Sequence, residues 1–204
     1  MKRIVKNPEP QEFIEWKANW PDITPGWDEL DNDSRMKQTV KQSLLAEQGH
    51  ICCFCETEVG MSSGHIAHLF DRLGHPDKAL NYDNILYSCP ENPRNVPNTC
   101  GHAQGNKTPS ISPLDENCET HFTYSEDGRI SGKNDQARDT IRMLNLNGSR
   151  RLCESRRLVF EETRDNKRIL SPHEFGRWLN NELKRQPAGT FKPFWTTILY
   201  AATG

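Results

Sequence analysis

The chain has 204 residues, a formal net charge of −2, 34% hydrophobic residues and a mean hydropathy of −0.84. That length suits one medium domain, or a small core with helical additions. The weak charge excludes a broadly cationic nucleic-acid binder, so any phosphate contact must come from local patches, and no apolar run approaches the about 20 residues that span a bilayer. The low hydrophobic content implies a thin core helped by metal, and a surface suited to a partner. The sequence shows no internal repeat and no long low-complexity segment. Its first residues do not read as a signal peptide, so the expected compartment is the reducing cytoplasm, where disulfides are disfavoured.

Met1 to Val5 is a short basic-apolar segment, expected as an edge strand. Pro8 and Pro10 precede a helix expected near residues 11–19, with Phe13, Ile14 and Trp16 available for packing. Residues 21–33 are turn-rich, with Trp27 as their anchor. Ser34 is a good N-cap. Met36, Val40 and Leu44 then fall four apart on one helical face, and Gly49 fits the stop.

This helix leads into Cys52 and Cys55, a CxxC knuckle whose spacing lets two thiolates meet one tetrahedral ion. Cys89 and Cys100 form a second group, separated by a loop containing Pro90, Pro93 and Pro97. Structural zinc is the leading reading of the four. A redox pair, buried free thiols and a disulfide are the others. Cys53, Cys118 and Cys153 read as small core residues. Between the groups, GHIAHLF has strand alternation: His65 and Ala67 share one face, Ile66 and His68 the other. With NYDNILYSC it predicts a short β-ribbon feeding a loop and a helix. Asn84 beside Asp83 would by itself be a turn or cap residue, and His75 a loop residue.

Past a proline-punctuated connection, HFTYSEDGRISG predicts a β-hairpin turning at Glu126-Asp127-Gly128. Asn134 or Asp135 can cap a helix through Leu144. Arg150, Arg151, Arg156, Arg157 and Arg164 crowd the next helix, either to grip phosphate or to pair with Glu154, Glu161 and Glu162. Ser171-Pro172-His173-Glu174 is a helix start with Ser as N-cap, Pro at N1 and Glu at N3. The tail FKPFWTTILYAATG reads as a final packing helix or a partner-docking segment.

Taken together, the Cys pair, His-x-x-His, DNIL, a further Cys and CGHAQGN resemble the HNH endonucleases with a ββα-metal core. More narrowly, the chain is similar to the HNH proteins of retron and Septu anti-phage systems (the PtuB type). MKRIVKNPEP, AEQGHICCFCE, SPLDENCETHFTYSEDGRI and TIRMLNLN extend the resemblance over nearly the whole length. It implies an α+β protein: a zinc-stapled ββα-metal core over 51–115, an N-terminal helical segment over 1–50, and a hairpin with helices over 116–204. The implied activity is phosphodiester cleavage supported by Mg²⁺ or Mn²⁺. His68 falls at the general base, where an imidazole of pKa about 6.5 suits cell pH. Asn84 falls at the middle position of the motif, placed to orient the histidine or the water. His102, with Asn106 as runner-up, falls at the last metal-binding position, and His65 supports or ligates the metal. The family usually carries an acidic metal ligand where this chain has Ala67. Either His65, Asp71 or Asp83 substitutes, or the metal binds weakly with substrate, or the chain is a cleavage-dead adaptor. The implied partners are an ABC/SMC-type ATPase of the PtuA kind and, in some systems, a retron reverse transcriptase with its RNA–DNA product.

Overall fold

The computed structural model describes every residue except Asp22. The architecture is mixed α+β, with two small antiparallel sheets set among helices. Helix α1 (Gln11–Ala18) and the short α2 (Trp27–Asn32) lie against α3 (Ser34–Gln48). The turn-rich stretch therefore contains a helix that the sequence did not signal, and the N-cap of α3 is Asp33 rather than Ser34. Asp33 Oδ1 accepts from the Met36 amide at 2.9 Å, and its Oδ2 from Trp16 Nε1 at 3.0 Å. Gly49, at φ 65°, ends α3 in the left-handed conformation. The first residues form no strand. Ile4 donates one backbone bond to Pro113, and Met1 is buried.

Strands β1 (His65–His68) and β2 (Ile85–Ser88) pair antiparallel, with His65 opposite Ser88 and His68 opposite Ile85. Helix α4 (Cys100–Gln104) follows, completing a ββα order. β2 is buried along its whole length, which explains its continuous apolar run. The second sheet, β3 (Phe122–Tyr124) with β4 (Ile130–Gly132), is the expected hairpin. Its turn is pressed against a helix so tightly that a Cβ on Gly128 would lie 1.9 Å from the Cys153 carbonyl oxygen.

Helices α5 (Asp135–Met143), α6 (Arg150–Ile169), α7 (Pro172–Leu183) and α8 (Trp195–Thr203) follow. Asn134 caps α5, and Ser171 with Glu174 forms a reciprocal capping box on α7. Within α6, Arg157 pairs with Glu154 and Glu161, while buried Arg156 donates to the carbonyls of Gly128 and Leu146. These two arginines serve the fold. The aromatic tail packs internally through α8, whose Thr196, Thr197, Ile198, Ala201 and Ala202 are buried against α6 and α7. One contiguous apolar cluster runs from Met1 through the β-ribbon to Ala201.

Candidate functional site

The four predicted clamp cysteines converge. Their sulfur atoms all lie within 4.8 Å of one another, with Cys55 and Cys89 4.0 Å apart. A tetrahedral zinc with bonds of about 2.3 Å needs sulfurs about 3.8 Å apart, so the donor set fits zinc. None of the cysteines is disulfide-bonded, and a four-way cluster argues against a simple redox pair. Among the described residues this is the one group of three or more Cys, His, Asp or Glu donors close enough to share an ion. The Cys89 amide donates to Cys52 Sγ at 3.3 Å, as knuckle amides do toward thiolates. Burial pushes the Cys52 thiol up, but hydrogen bonds from the surrounding thiols, Cys100 foremost, hold it well below the usual range. Cys53, one residue away, is pushed well up by burial and by Cys52, and its sulfur is not one of the four that converge.

The clamp fixes geometry because of where its ligands sit in the chain. Cys89 directly follows β2, and Cys100 is the first residue of α4. An ion shared with the Cys52–Cys55 knuckle would hold the ribbon end against the helix start. Ser88 Oγ adds a bond from the Gly101 amide at 3.1 Å.

On the face of β1 toward α4 sits His65. Its Nδ1–H donates to the Cys89 carbonyl at 2.9 Å, since a carbonyl only accepts. That leaves Nε2 with a free lone pair, the arrangement typical of a metal-ligating histidine. The His65 and His102 rings lie 3.9 Å apart between centroids, tilted by 47°. A Cβ on Gly101 would come 2.6 Å from His65 Nε2 and 3.0 Å from Ala67 Cβ, so only glycine fits between β1 and α4 here. Burial, and then the neighbouring His102, lower the His65 pKa to about 4.

His68 faces the other way. Its ring stands edge-on to Trp27 at 4.7 Å, and Nε2–H donates to the Ala79 carbonyl at 3.0 Å. Burial brings its pKa down to about 4 against the bond to Ala79, with the charge of Arg72 helping. Asn84 is 4% exposed, and its side chain is committed to the backbone. Oδ1 accepts from the Phe70 amide at 2.8 Å, and Nδ2 donates to the carbonyls of Phe70 and Lys78, each at 3.0 Å. It therefore fixes the β1–β2 loop rather than touching an imidazole. Asn106 is exposed just beyond Gly105. The structure thus brings His65 and His102 together and sets His68 on the opposite face of the same strand. Asp71, a proposed substitute ligand, spends its Oδ1 on the amides of Leu73 and Gly74.

Two contributors escaped the sequence reading. Trp27, expected only to anchor a turn, is the wall against which His68 packs. Gln104 donates from Nε2 to the carbonyls of His68 and Lys107, both at 2.8 Å, tying the end of β1 to the end of α4. Its position in CGHAQGN, one helical turn past Cys100, was the available signal.

No family model matches the chain. Three curated relatives do. One, from Vibrio cholerae serotype O1 biovar El Tor, is named as a candidate HNH endonuclease of retron Vc95; it is 28% identical over 122 residues, covering 55% of this chain and 59% of the relative. Septu protein PtuB of Bacillus thuringiensis is 26% identical over 132 residues, 62% of this chain and 48% of PtuB. The chain is a homologue of these retron and Septu proteins. A third relative, named as a candidate HNH endonuclease of retron Ec83 of Escherichia coli, is 30% identical over 98 residues, 44% of this chain and 37% of the relative. The chain spans about half the length of the curated relatives it matches. No helix among the described residues is long and apolar enough to cross a membrane.

Proposed function

We propose that this protein is an HNH endonuclease that hydrolyses phosphodiester bonds as the effector of a retron or Septu anti-phage complex in the cytoplasm. The observation that carries the reading is the four-thiol clamp between β2 and α4, which presents the lone pair of His65 Nε2 beside His102. The names of the relatives supply the reaction class. Cys52, Cys55, Cys89 and Cys100 would hold zinc as a structural staple. His65 and His102, with Asn106 two residues past the end of α4, are the residues for a second, hydrolytic cation. Two imidazoles with Ala67 in place of a carboxylate fit Mn²⁺ better than Mg²⁺, which prefers hard oxygens. Such a cation would polarise the scissile phosphate and its attacking water.

The chain's own contribution is proton handling and rigidity. Burial favours the uncharged form of His68, and with Nε2–H given to Ala79 its basic nitrogen is Nδ1. Because His68 stands on the face of β1 opposite His65 and His102, its general-base role requires the scissile strand to pass over the end of β1, so that the water lies between the two faces. Trp27 keeps the ring dry on one side, and Asn84 and Gln104 hold the backbone on which it sits. The partners in this reading are a PtuA-like ABC/SMC-type ATPase and, in retron systems, a reverse transcriptase with its RNA–DNA product. They add nucleic-acid grip to a chain whose net charge is −2.

Ala67 favours one rival, a non-catalytic zinc-bearing adaptor that docks on the ATPase. Incubating the purified complex with plasmid and with RNA, in Mn²⁺ or Mg²⁺, separates the two. Cleavage that disappears in His68→Ala and His102→Ala supports the nuclease. Absence of cleavage even in Ala67→Glu, which restores an acidic side chain beside His65, supports the adaptor.

A further inference from the structure

Residues 69–84 join β1 to β2, far more chain than a two-stranded reversal needs. The first half of this loop is braced from within. Asp71 Oδ1 accepts from Leu73 at 3.0 Å and Gly74 at 2.8 Å, and the His75 amide donates to the Asp71 carbonyl at 3.0 Å. Asn84 closes the root by bonding both Phe70 and Lys78. A loop this ordered nevertheless leaves Leu73 82% exposed at its tip and Phe70 38% exposed on its flank. Cations flank this part of the loop: Lys78 Nζ sits 3.9 Å over the Phe70 ring, and the Arg72 guanidinium, one residue before Leu73 in the chain, lies 4.6 Å over Trp27, the residue that walls His68. Of the loop's three carboxylates, Asp71 is consumed by its own amides, Asp77 lies beyond His75 on the far side of the tip sequence, and Asp83 sits at the root beside Asn84.

Two apolar side chains are too small a patch for a stable protein interface, which needs about 800 Å² per partner. An apolar tip flanked by positive charge instead matches a polyanion with exposed apolar faces. Phe and Leu wedges of this kind enter between base steps, and aromatic rings stack on unpaired bases. We propose that residues 70–78 form a base-unstacking wedge: Leu73 and Phe70 pack against nucleobases near the scissile phosphate, while Arg72 and Lys78 neutralise flanking phosphates. This rests on the nuclease reading and adds a substrate preference to it. Steps that are bulged, looped or otherwise weakly stacked are bound in preference to uniform duplex, whichever sugar the strand carries.

The test is equilibrium binding of the zinc-loaded full chain, without added catalytic cation, to fluorescently labelled hairpins that are fully paired or carry a two-nucleotide bulge. Wild type binds the bulged hairpin more tightly. Phe70→Ala and Leu73→Ala each lower affinity for it about tenfold and erase the preference, with zinc content and circular dichroism unchanged. Arg72→Gln and Lys78→Gln weaken both hairpins alike and flatten the salt dependence. The wedge is overturned if the Phe70 and Leu73 variants bind like wild type, or if wild type shows no preference, while cleavage by the complex persists. It is also overturned if Leu73→Ala instead disrupts capture of the ATPase partner. If wild type binds neither hairpin and the complex cuts nothing, the nuclease reading falls with it.

Discussion

Single contacts decide how far a histidine can serve. His68 is held neutral because its ring is buried against Trp27, with its pKa brought from 6.5 to about 4. The fold thus prefers the uncharged form. Its stabilising contribution is complete above the unfolded pKa near 6.5 and is lost as pH falls toward 4. Thermal melts between pH 7 and pH 4 should therefore show a smaller loss of Tm in His68→Asn than in wild type. Gly101 is a second single-residue constraint. In Gly101→Ala the new methyl meets His65 Nε2 at 2.6 Å, so the imidazole must move away from His102. We expect destabilisation of about 1–3 kcal/mol and weaker Mn²⁺ binding by titration calorimetry. Unchanged affinity would mean that these two rings do not share a cation.

At the scale of elements, the clamp is what makes two short strands and a five-residue helix a defined unit. A two-stranded ribbon is marginal alone; β2 is packed in the shared core, and an ion held by the four thiols would add to its rigidity. Cys52→Ser or Cys100→Ser should release zinc to a colorimetric chelator and abolish the cooperative melt, because structural zinc contributes roughly 10 kcal/mol or more of apparent folding energy in small sites. The knuckle is also fastened to the C-terminal helices. Buried Glu56 accepts from the Met1 ammonium at 3.0 Å and from the Thr196 amide at 2.8 Å, linking the Cys55 turn to the start of α8. Glu56→Ala leaves the ammonium uncompensated and should cost about 3–5 kcal/mol in denaturant unfolding. A loss below 1 kcal/mol would show that the link is not structural. The capping box of α7 and the hairpin were readable at this scale, because the box joins residues three apart and the hairpin is set by its Ser125–Arg129 turn. The helix α2 was not readable: its six residues gain little from propensity and persist by packing on α3.

For the whole molecule, net charge and cation placement set how nucleic acid is held. With a balance of −2, and arginines such as Arg157 paired to neighbouring glutamates, the chain has no overall positive field, and phosphate contact falls to local cations such as Arg72 and Lys78. The logarithm of the binding constant should then fall with the logarithm of salt at a shallow slope of about −2 to −3, reflecting two or three phosphates. A slope beyond about −6 would require a basic surface that the chain by itself does not offer, and adding the ATPase partner should steepen the dependence.

What the amino-acid order alone determined is the chemistry that acts over short spans. The CxxC knuckle, the alternation that separates His65 from His68, the Ser171–Glu174 cap and the Gly128 turn all follow from residues a few positions apart, where spacing dictates geometry. Only the tertiary structure decided which histidine meets His102, that Asn84 serves the loop of Phe70 and Lys78, and that Trp27 stands against His68. Those contacts join residues more than a turn or a strand apart. Their distances depend on how β1, α4 and α2 settle around the clamp and the shared core, and no local pattern carries that information.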